Sequence, residues 1–533
     1  MKEIIEPRCT FGIISHPDAG KTTMTEKLLW FGRVVRETGM VKSKQGNYAK
    51  SDWMEIEKER GISITSAVMS YSYGGRAMHL LDTPGHKDFS EDTYRTLTAV
   101  ESVLMMIDSA KGVEEQTIKL MEVCRMRDTP IVTFMNKFDR DAMDAFELID
   151  NVEKICSIQC APMTWPVGDG VNFKGVYDLE KKQITRFAEV TDPTKPDILD
   201  ASDLNSPEVM AYLGAAIKEK LEEDLMMVTE LMPKFDREEF LAGIQTPVFF
   251  GTALHNFGVK ETLDHIAKVC PEPLPREVQL APFKSDSPTK IVQPTEPKFS
   301  GFIFKIQANM DRRHRDRVAF MRVCTGHFKR GDKIFHVRTK KDIKVATPLI
   351  FQAQDREIVE EAFPGDIIGL HDTGKYQIGD TFTMGEEYSY TGIPSFAPEI
   401  FQKVLLKDPM KGKQLDKGLQ QLSEEGTVQV FSRHTVNEKI LGAVGMLQFE
   451  VVKHRLEDEY NVLGDYQSYN FTGIRWLRFP DEKTKKDFIQ SNGNSICYDH
   501  KKRVCFGVKS EWDLKLVVEK FPKVEFFKNS DYK

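Results

Sequence analysis

Several absences narrow this chain before any motif is read. No run of about 18 apolar residues occurs along its 533 positions, so no membrane-spanning helix is expected. The opening Met1-Lys2-Glu3-Ile4-Ile5-Glu6-Pro7 lacks the basic-then-apolar order of a secretory signal. Only eight cysteines are present, and they are scattered. Cys156 and Cys160 are close in sequence, but no second Cys or His pair completes a zinc pattern. Free, buried thiols in a reducing cytoplasm are the expected state. An excess of basic charge is also missing. The net charge of −7 excludes a protein that coats nucleic acid non-specifically. It leaves room for a local basic face that meets RNA. Arg312, Arg313, His314, Arg315 and Arg317 form one candidate, and Lys501, Lys502 and Arg503 another. A solvated surface is an equally open reading of both. No internal repeat or low-complexity tract is visible.

What is present describes a multidomain chain. Its length exceeds a single core, and three or four domains are expected. A composition of 40% hydrophobic and 29% charged residues is that of an ordinary globular protein. Thr10 to Ile14, Met78 to Leu81, Val103 to Ile107, Ile131 to Met135 and Val248 to Phe250 are short apolar runs separated by helical patterns. Examples of the latter are Thr22 to Phe31 and Glu114 to Arg127. This alternation predicts a doubly wound, mainly parallel sheet over residues 1–275. Asp139 and Gly251 are 112 positions apart, far more than one crossover needs. An inserted subdomain is expected over about 157–245, with strand-like Gly175 to Tyr177 and a helix from Ile217 to Leu231. Pro271 to Pro275 closes this domain, and 276–297 reads as a linker. Residues 298–392 alternate like strands, with turns at Gly331-Asp332, Pro364-Gly365-Asp366 and Gly379-Asp380, which predicts an antiparallel β-barrel. From 393 to 533 an α+β domain is expected. Leu415, Leu419 and Leu422 share one helical face that Glu424-Glu425-Gly426 closes, followed by a strand at Val428 to Phe431 and a helix at Leu447 to Leu456.

Three motifs follow strand-like runs in a fixed order. Ser15-His16-Pro17-Asp18-Ala19-Gly20-Lys21-Thr22-Thr23 reads as a phosphate loop. Backbone N–H groups and a helix N-terminus converge there on an anion. Gly20 permits close approach, Lys21 places a cation on the β- and γ-phosphates, and the Thr22 hydroxyl is a Mg²⁺ ligand. Asp82-Thr83-Pro84-Gly85-His86 comes next. Asp82 suits a water-mediated Mg²⁺ contact, and the Gly85 N–H can sense the γ-phosphate. Asn136-Lys137-Phe138-Asp139 supplies the base test. The Asp139 carboxylate can accept from guanine N1–H and N2–H₂ together, which adenine does not offer, and the Lys137 stem can lie over the base. Gly251-Thr252-Ala253-Leu254 is a weaker signal whose Ala253 N–H is expected to reach guanine O6. Together these predict a GTPase that binds GTP or GDP with Mg²⁺.

His86 stands where other GTPases place a water-positioning Gln, and it is expected to orient the attacking water. Phosphoryl transfer needs positioning and charge stabilisation more than a strong base. In Glu59-Arg60-Gly61-Ile62-Ser63-Ile64-Thr65, a hydroxyl can complete the Mg²⁺ shell. Ser63 is the expected ligand, with Thr65 the alternative if the register is shifted. No arginine finger is in place, so hydrolysis alone should be slow and an outside activator is implied.

The His16 to Thr23 loop, Arg60 to Ser63, Asp82 to His86 and Asn136 to Asp139 together resemble the translational GTPase superfamily. Within it the chain is similar to the bacterial peptide chain release factor 3 family. Ser15 to Asp18, Lys50 to Glu55, Phe89 to Thr98, Phe304 to Met310 and Leu422 to Gly426 carry that likeness. Gln414 to Gly426 and Gly442 to Glu450 resemble the superfamily's ferredoxin-like domain. Ser15 departs from the usual first loop Gly, and Ser63 from the Thr of elongation factors. The resemblance implies a cytoplasmic, monomeric GTPase activated by the ribosome. It would drive codon-reading release factors off after peptide release, with no stop-codon specificity of its own. The alternatives are another translational GTPase, of elongation factor G or ribosome-protection type, and a GTP-dependent switch with incidental hydrolysis. A P-loop kinase is disfavoured because Asp139 selects guanine.

Overall fold

The computed structural model describes residues 2–5, 7–33, 57, 63–186, 197–283, 287–308, 317–352, 355–393, 397–436 and 438–528. Arg312 to Arg315, Lys50 to Glu55 and Glu59 to Ile62 lie outside that set.

A seven-stranded sheet organises the first half. Its strands are β1 (Arg8–Ser15), β2 (Ala67–Tyr73), β3 (Arg76–Asp82), β4 (Ser102–Asp108), β5 (Ile131–Asn136), β6 (Gln159–Pro162) and β7 (Gln245–Phe250). Their order is β2-β3-β1-β4-β5-β7-β6. Only β2 runs antiparallel, through its hairpin with β3. β4 and β5 are buried along their whole length, because helices cover both faces of a parallel sheet. Those helices include α1 (Lys21–Phe31), α2 (Ser90–Leu97), α3 (Glu115–Arg125), α4 (Ala145–Cys156) and α5 (Val259–Val269). The expected doubly wound sheet is therefore present, and each nucleotide motif follows the C-terminal end of a strand. One strand departs from expectation. β6 falls in the range read as an insertion, yet it pairs in parallel with β7 and forms the sheet's edge. Four residues with one proline, Gln-Cys-Ala-Pro, carry too little pattern to announce a sheet strand.

The rest of that interval forms a four-stranded antiparallel sheet from Thr164–Val167 to Ile198–Asp200, with a helix at Ala215–Leu231. Trp165 fastens it to the main core. The fully buried indole packs 5.3 Å from Phe250 and 4.7 Å from Phe146, and its N–H donates to Asp224 at 3.1 Å.

The range read as a linker also contains structure. Arg276–Leu280 pairs with Thr289–Val292 on one side and Tyr388–Tyr390 on the other. Prolines on both sides of Arg276–Leu280 mask the alternation of Val278 with Leu280. Eight antiparallel strands, with β8 (Ser300–Ala308) and β9 (Arg317–Thr325) at their centre, make a half-barrel.

The C-terminal domain is more regular than its sequence suggests. The elements β10 (Ile400–Leu406), α6 (Gly412–Glu424), β11 (Gln429–Arg433), β12 (Lys439–Ala443), α7 (Met446–Tyr460) and β13 (Gly464–Ser468) form a β-α-β-β-α-β unit. A second unit repeats the topology with β14 (Gly473–Arg478), α8 (Glu482–Asn492), β15 (Ile496–Asp499), β16 (Val504–Val508), α9 (Glu511–Lys520) and β17 (Glu525–Phe527). The strands run β13-β10-β12-β11-β15-β16-β14-β17 in one antiparallel sheet. β11 and β15, the second strand of each unit, join the halves through Phe431 opposite Asp499 and Arg433 opposite Cys497. The expected ferredoxin-like arrangement is thus present twice. This repeat of topology was not visible as a repeat of residues.

Buried charge ties the units together. Arg322 of β9 reaches Glu101 at 2.6 Å and the Thr10 hydroxyl at 2.6 Å. Asp366 in the half-barrel meets Arg8 at 2.8 Å and His79 at 3.1 Å. Burial disfavours its charged form, but His79 and Arg8 outweigh that and hold the carboxyl below its ordinary value. Arg317 corrects an expectation. A candidate for an RNA-facing or a solvated basic surface, it is 4% exposed and pairs with Asp372 at 2.6 Å and with Glu424 of α6. A guanidinium enclosed between two carboxylates joins the half-barrel to the C-terminal domain and leaves no charge for phosphate. In the second basic cluster, Arg503 pairs with Asp499 at 2.7 Å, whereas Lys501 and Lys502 are exposed. All eight cysteines are free and buried. Among the described residues no helix is long and apolar enough to cross a membrane.

Candidate active site

Five loops meet at the C-terminal edge of the main sheet. Ser15 ends β1, is buried, and opens the loop that leads into α1. His16 and Pro17 are half-buried and Asp18 is exposed with φ 65°. His16 Nε2 lies 3.5 Å from Glu114. Ala19 is buried, and its N–H donates to the His16 carbonyl at 3.3 Å. Gly20 caps α1 with φ 96°, a left-handed conformation that glycine adopts without strain. Lys21 is 6% exposed and its ammonium pairs with Asp82. Thr22 and Thr23 follow in the first turn of α1, both half-buried.

Asn136 joins the phosphate loop to the base-reading loops. Its Nδ2 donates to the Ala19 carbonyl at 2.8 Å, and its Oδ1 accepts from the Ala253 N–H at 2.9 Å. A Cβ at Gly20 would overlap that Asn136 amide. The Ala253 N–H, expected on guanine O6, therefore has a protein partner here. Gly251 N–H donates to Met135 at 3.0 Å, and a Cβ at Gly251 would overlap the Phe257 carbonyl. Thr252 exchanges backbone hydrogen bonds with Phe257 at 3.1 Å in each direction. Lys137 spans the floor of the cleft. Its ammonium donates to the Asp18 carbonyl and to Asp108, each at 2.6 Å. The Asp139 carboxylate is 3.6 Å from His255 Nε2.

The Asp82 loop packs beside the phosphate loop. The Thr83 hydroxyl donates to the Ile13 carbonyl at 2.6 Å, and the Pro84 carbonyl accepts from Thr93 at 3.1 Å. Gly85 lies against Pro17, where a Cβ would sit 3.5 Å from its Cα. Asp82 is 2% exposed, and its Oδ2 has no hydrogen-bond partner among the described residues. A buried carboxylate oxygen left in this state is costly unless a cation or its water serves it. Together with the Thr22 hydroxyl it offers the hard oxygen donors that Mg²⁺ prefers. Ser63 is half-buried and precedes Ile64, whose N–H donates to Glu57 at 2.9 Å. Two residues on, Ser66 gives its N–H and its hydroxyl to Asp92, each at 2.7 Å.

His86 follows Gly85, and its Nδ1 faces Asp88. It starts a short turn at Lys87–Phe89, and its Nδ1 accepts from the Asp88 N–H at 3.2 Å. Among the described residues it makes no hydrogen bond to residues 15–23. Sequence reasoning missed Asp108, Glu114, His255 and Asp88. Asp108 ends a buried strand at the sheet edge that carries the motifs, and this position was its signal. Asp88 and His255 come just after the Asp82 to His86 and Gly251 to Leu254 motifs, and Glu114 closes the loop after Asp108, so nearness to a motif was their only signal.

This geometry agrees with what the chain resembles. Residues 6–272, half of the chain, match the family model described as Elongation factor Tu GTP binding domain. The chain belongs to that family of translational GTPases, which bind guanine nucleotide, hydrolyse GTP and work with the ribosome. Residues 298–385 match Elongation factor G domain 2, and residues 390–518 match Class II release factor RF3, C-terminal domain. Taken together, the three matches make it a translational GTPase of the class II release factor RF3 type. A crystal structure of a protein from Thermus thermophilus shares the fold. It has TM-score 0.69 and 19% identity over 90% of this chain and 71% of that one.

Proposed function

We propose that this chain is a ribosome-activated GTPase that drives codon-reading release factors from the ribosome after peptide release. It works in the cytoplasm as a monomer and does not itself read the stop codon. The working units are the GTPase domain at 1–275, the half-barrel at 298–392 and the C-terminal domain at 393–533, with 276–297 between the first two.

Residues 15–23 cradle the phosphates and Lys21 leaves Asp82 to meet the β- and γ-phosphates. Thr22, Ser63 and Asp82 hold Mg²⁺, which supplies charge neutralisation at the phosphates. The Gly85 N–H meets the γ-phosphate. Asp139 accepts from guanine, Lys137 underlies the base, and Asn136 with Gly251, Thr252 and Ala253 keeps the base and phosphate halves in register. His86 orients the attacking water once the ribosome has set it in place. Supplying position rather than a strong base suits a loose phosphoryl-transfer transition state.

The observation that carries this reading is the C-terminal domain. It matches the release-factor model over 390–518, and its helix α7 is seated on the loop that holds His86. The test follows a labelled codon-reading release factor leaving post-release ribosomes. Adding this protein with GTP should accelerate its departure, and Lys21→Ala should abolish the effect. Ribosome-stimulated hydrolysis without any acceleration would move the protein to another step, such as one of elongation factor G type.

A further inference from the structure

The geometry points to Asp88 as a positioning residue. It couples the seating of α7 on the GTPase domain to the setting of His86, whose Nδ1 the seated arrangement engages. This rests on the proposed role of His86 as the water-orienting group.

Asp88 touches both partners at once. Its N–H donates to His86 Nδ1 at 3.2 Å, and its Oδ1 lies 3.4 Å from the same nitrogen. Its Oδ2 accepts from the Leu447 N–H at 2.8 Å, in the first turn of α7. A carboxylate at a helix N-terminus satisfies a backbone donor and meets the positive end of the helix dipole. Burial opposes the charge on Asp88, but His86 and the Leu447 N–H outweigh it and keep the carboxyl below its ordinary value.

The fit is close from the α7 side. A Cβ on Gly445 would overlap the Asp88 carboxylate. Gly445 has φ −139°, which any residue adopts, so glycine here serves the approach of Asp88 and not the backbone. Apolar contacts follow the same path. Ile64, Phe89, Leu447 and Val451 form one buried cluster. It joins the residue after Ser63, the turn after His86 and the N-terminal turns of α7. The His86 ring rests beside Phe89 with centroids 6.2 Å apart. Lifting α7 therefore removes an anchor of Asp88 and part of the support of Phe89. His86 is then free to turn.

Gly445→Ala tests this from a different domain and leaves every nucleotide contact in place. GTP hydrolysis by the full chain is measured without ribosomes, with kcat and KM separated. Losing one charge-assisted hydrogen bond should raise kcat about three- to tenfold with KM for GTP unchanged. Asp88→Asn should raise it likewise. The double variant should exceed neither by much, because both act on one contact. A residue that only supported the fold would lower kcat and leave no such kcat-against-KM split. Unchanged or reduced kcat in Gly445→Ala and in Asp88→Asn, with GTP binding intact, would overturn the coupling. If Gly445→Ala fails to fold, Asp88→Asn decides alone. His86→Ala distinguishes the two readings. In that background Gly445→Ala should have no effect, and if His86→Ala itself hydrolyses GTP at the normal ribosome-stimulated rate, the role given to His86 falls instead.

Discussion

Arg322 and Glu101 form a 2.6 Å ion pair in which each side chain is 1% exposed. One belongs to the half-barrel and the other to the main sheet's domain, and Arg276 also reaches Glu101 at 3.3 Å. Removing Arg322 leaves the buried Glu101 carboxylate with only its longer contact to Arg276. Arg322→Met should lower stability by about 3–5 kcal/mol, read as a shift in the urea unfolding midpoint. Arg322→Met with Glu101→Leu should cost less than the two single changes added together.

The Gly20 and Asn136 contact predicts a loss of nucleotide binding. Gly20→Ala combines a left-handed φ with a Cβ that overlaps Asn136. A cost of about 2 kcal/mol corresponds to roughly thirtyfold weaker GDP binding. Fluorescent GDP titration reads it directly. Affinity within threefold of the parent would show that the loop rearranges cheaply.

Asp139→Asn should move preference from guanine toward xanthine. An amide accepts at one oxygen, whereas the carboxylate accepts from guanine N1–H and N2–H₂ together. Competition between GDP and XDP measures the change. Undiminished guanine selectivity would remove Asp139 from the base pocket.

His265 should make the protein acid-sensitive. It sits in α5 between Phe235 and Phe249, with ring centroids at 4.9 and 5.2 Å. Burial, reinforced by Lys268, pushes its pKa down from 6.5 to about 4. As pH falls below 6.5 the unfolded chain takes up the proton while the folded chain does not until about pH 4. Stability is therefore full above pH 6.5 and is lost between those values. The expected loss from pH 7 to pH 5 is about 2 kcal/mol. His265→Leu should remove that part of the decline, as seen by comparing urea midpoints at the two pH values.

How much of this was legible depends on how local each signal is. The phosphate loop, the Asp82 loop and the Asn136 loop follow apolar strands directly, so strand and chemistry could be read in one stretch. The helix bearing Leu415, Leu419 and Leu422 declared itself by its period, and all three are buried. Signals that needed a partner were lost. β6 is too short to show a pattern, and the strand at Arg276–Leu280 is obscured by prolines. The doubling of the ferredoxin-like unit has no residue repeat to betray it, because each unit needs only matching topology and enough apolar faces.

The sequence by itself determined the class of chemistry. Gly20, Lys21, Asp82 and Asp139 lie within a few residues of strand ends, and short-range backbone geometry suffices to present them. Tertiary structure alone decided what these groups are tied to. Arg317 looks like a cation for RNA until Asp372 and Glu424 close on it. Asp88 looks like a polar turn residue until the Leu447 N–H, 359 positions away, reaches it. Such contacts depend on which surfaces meet after each domain has folded. No periodicity along a single chain records that pairing.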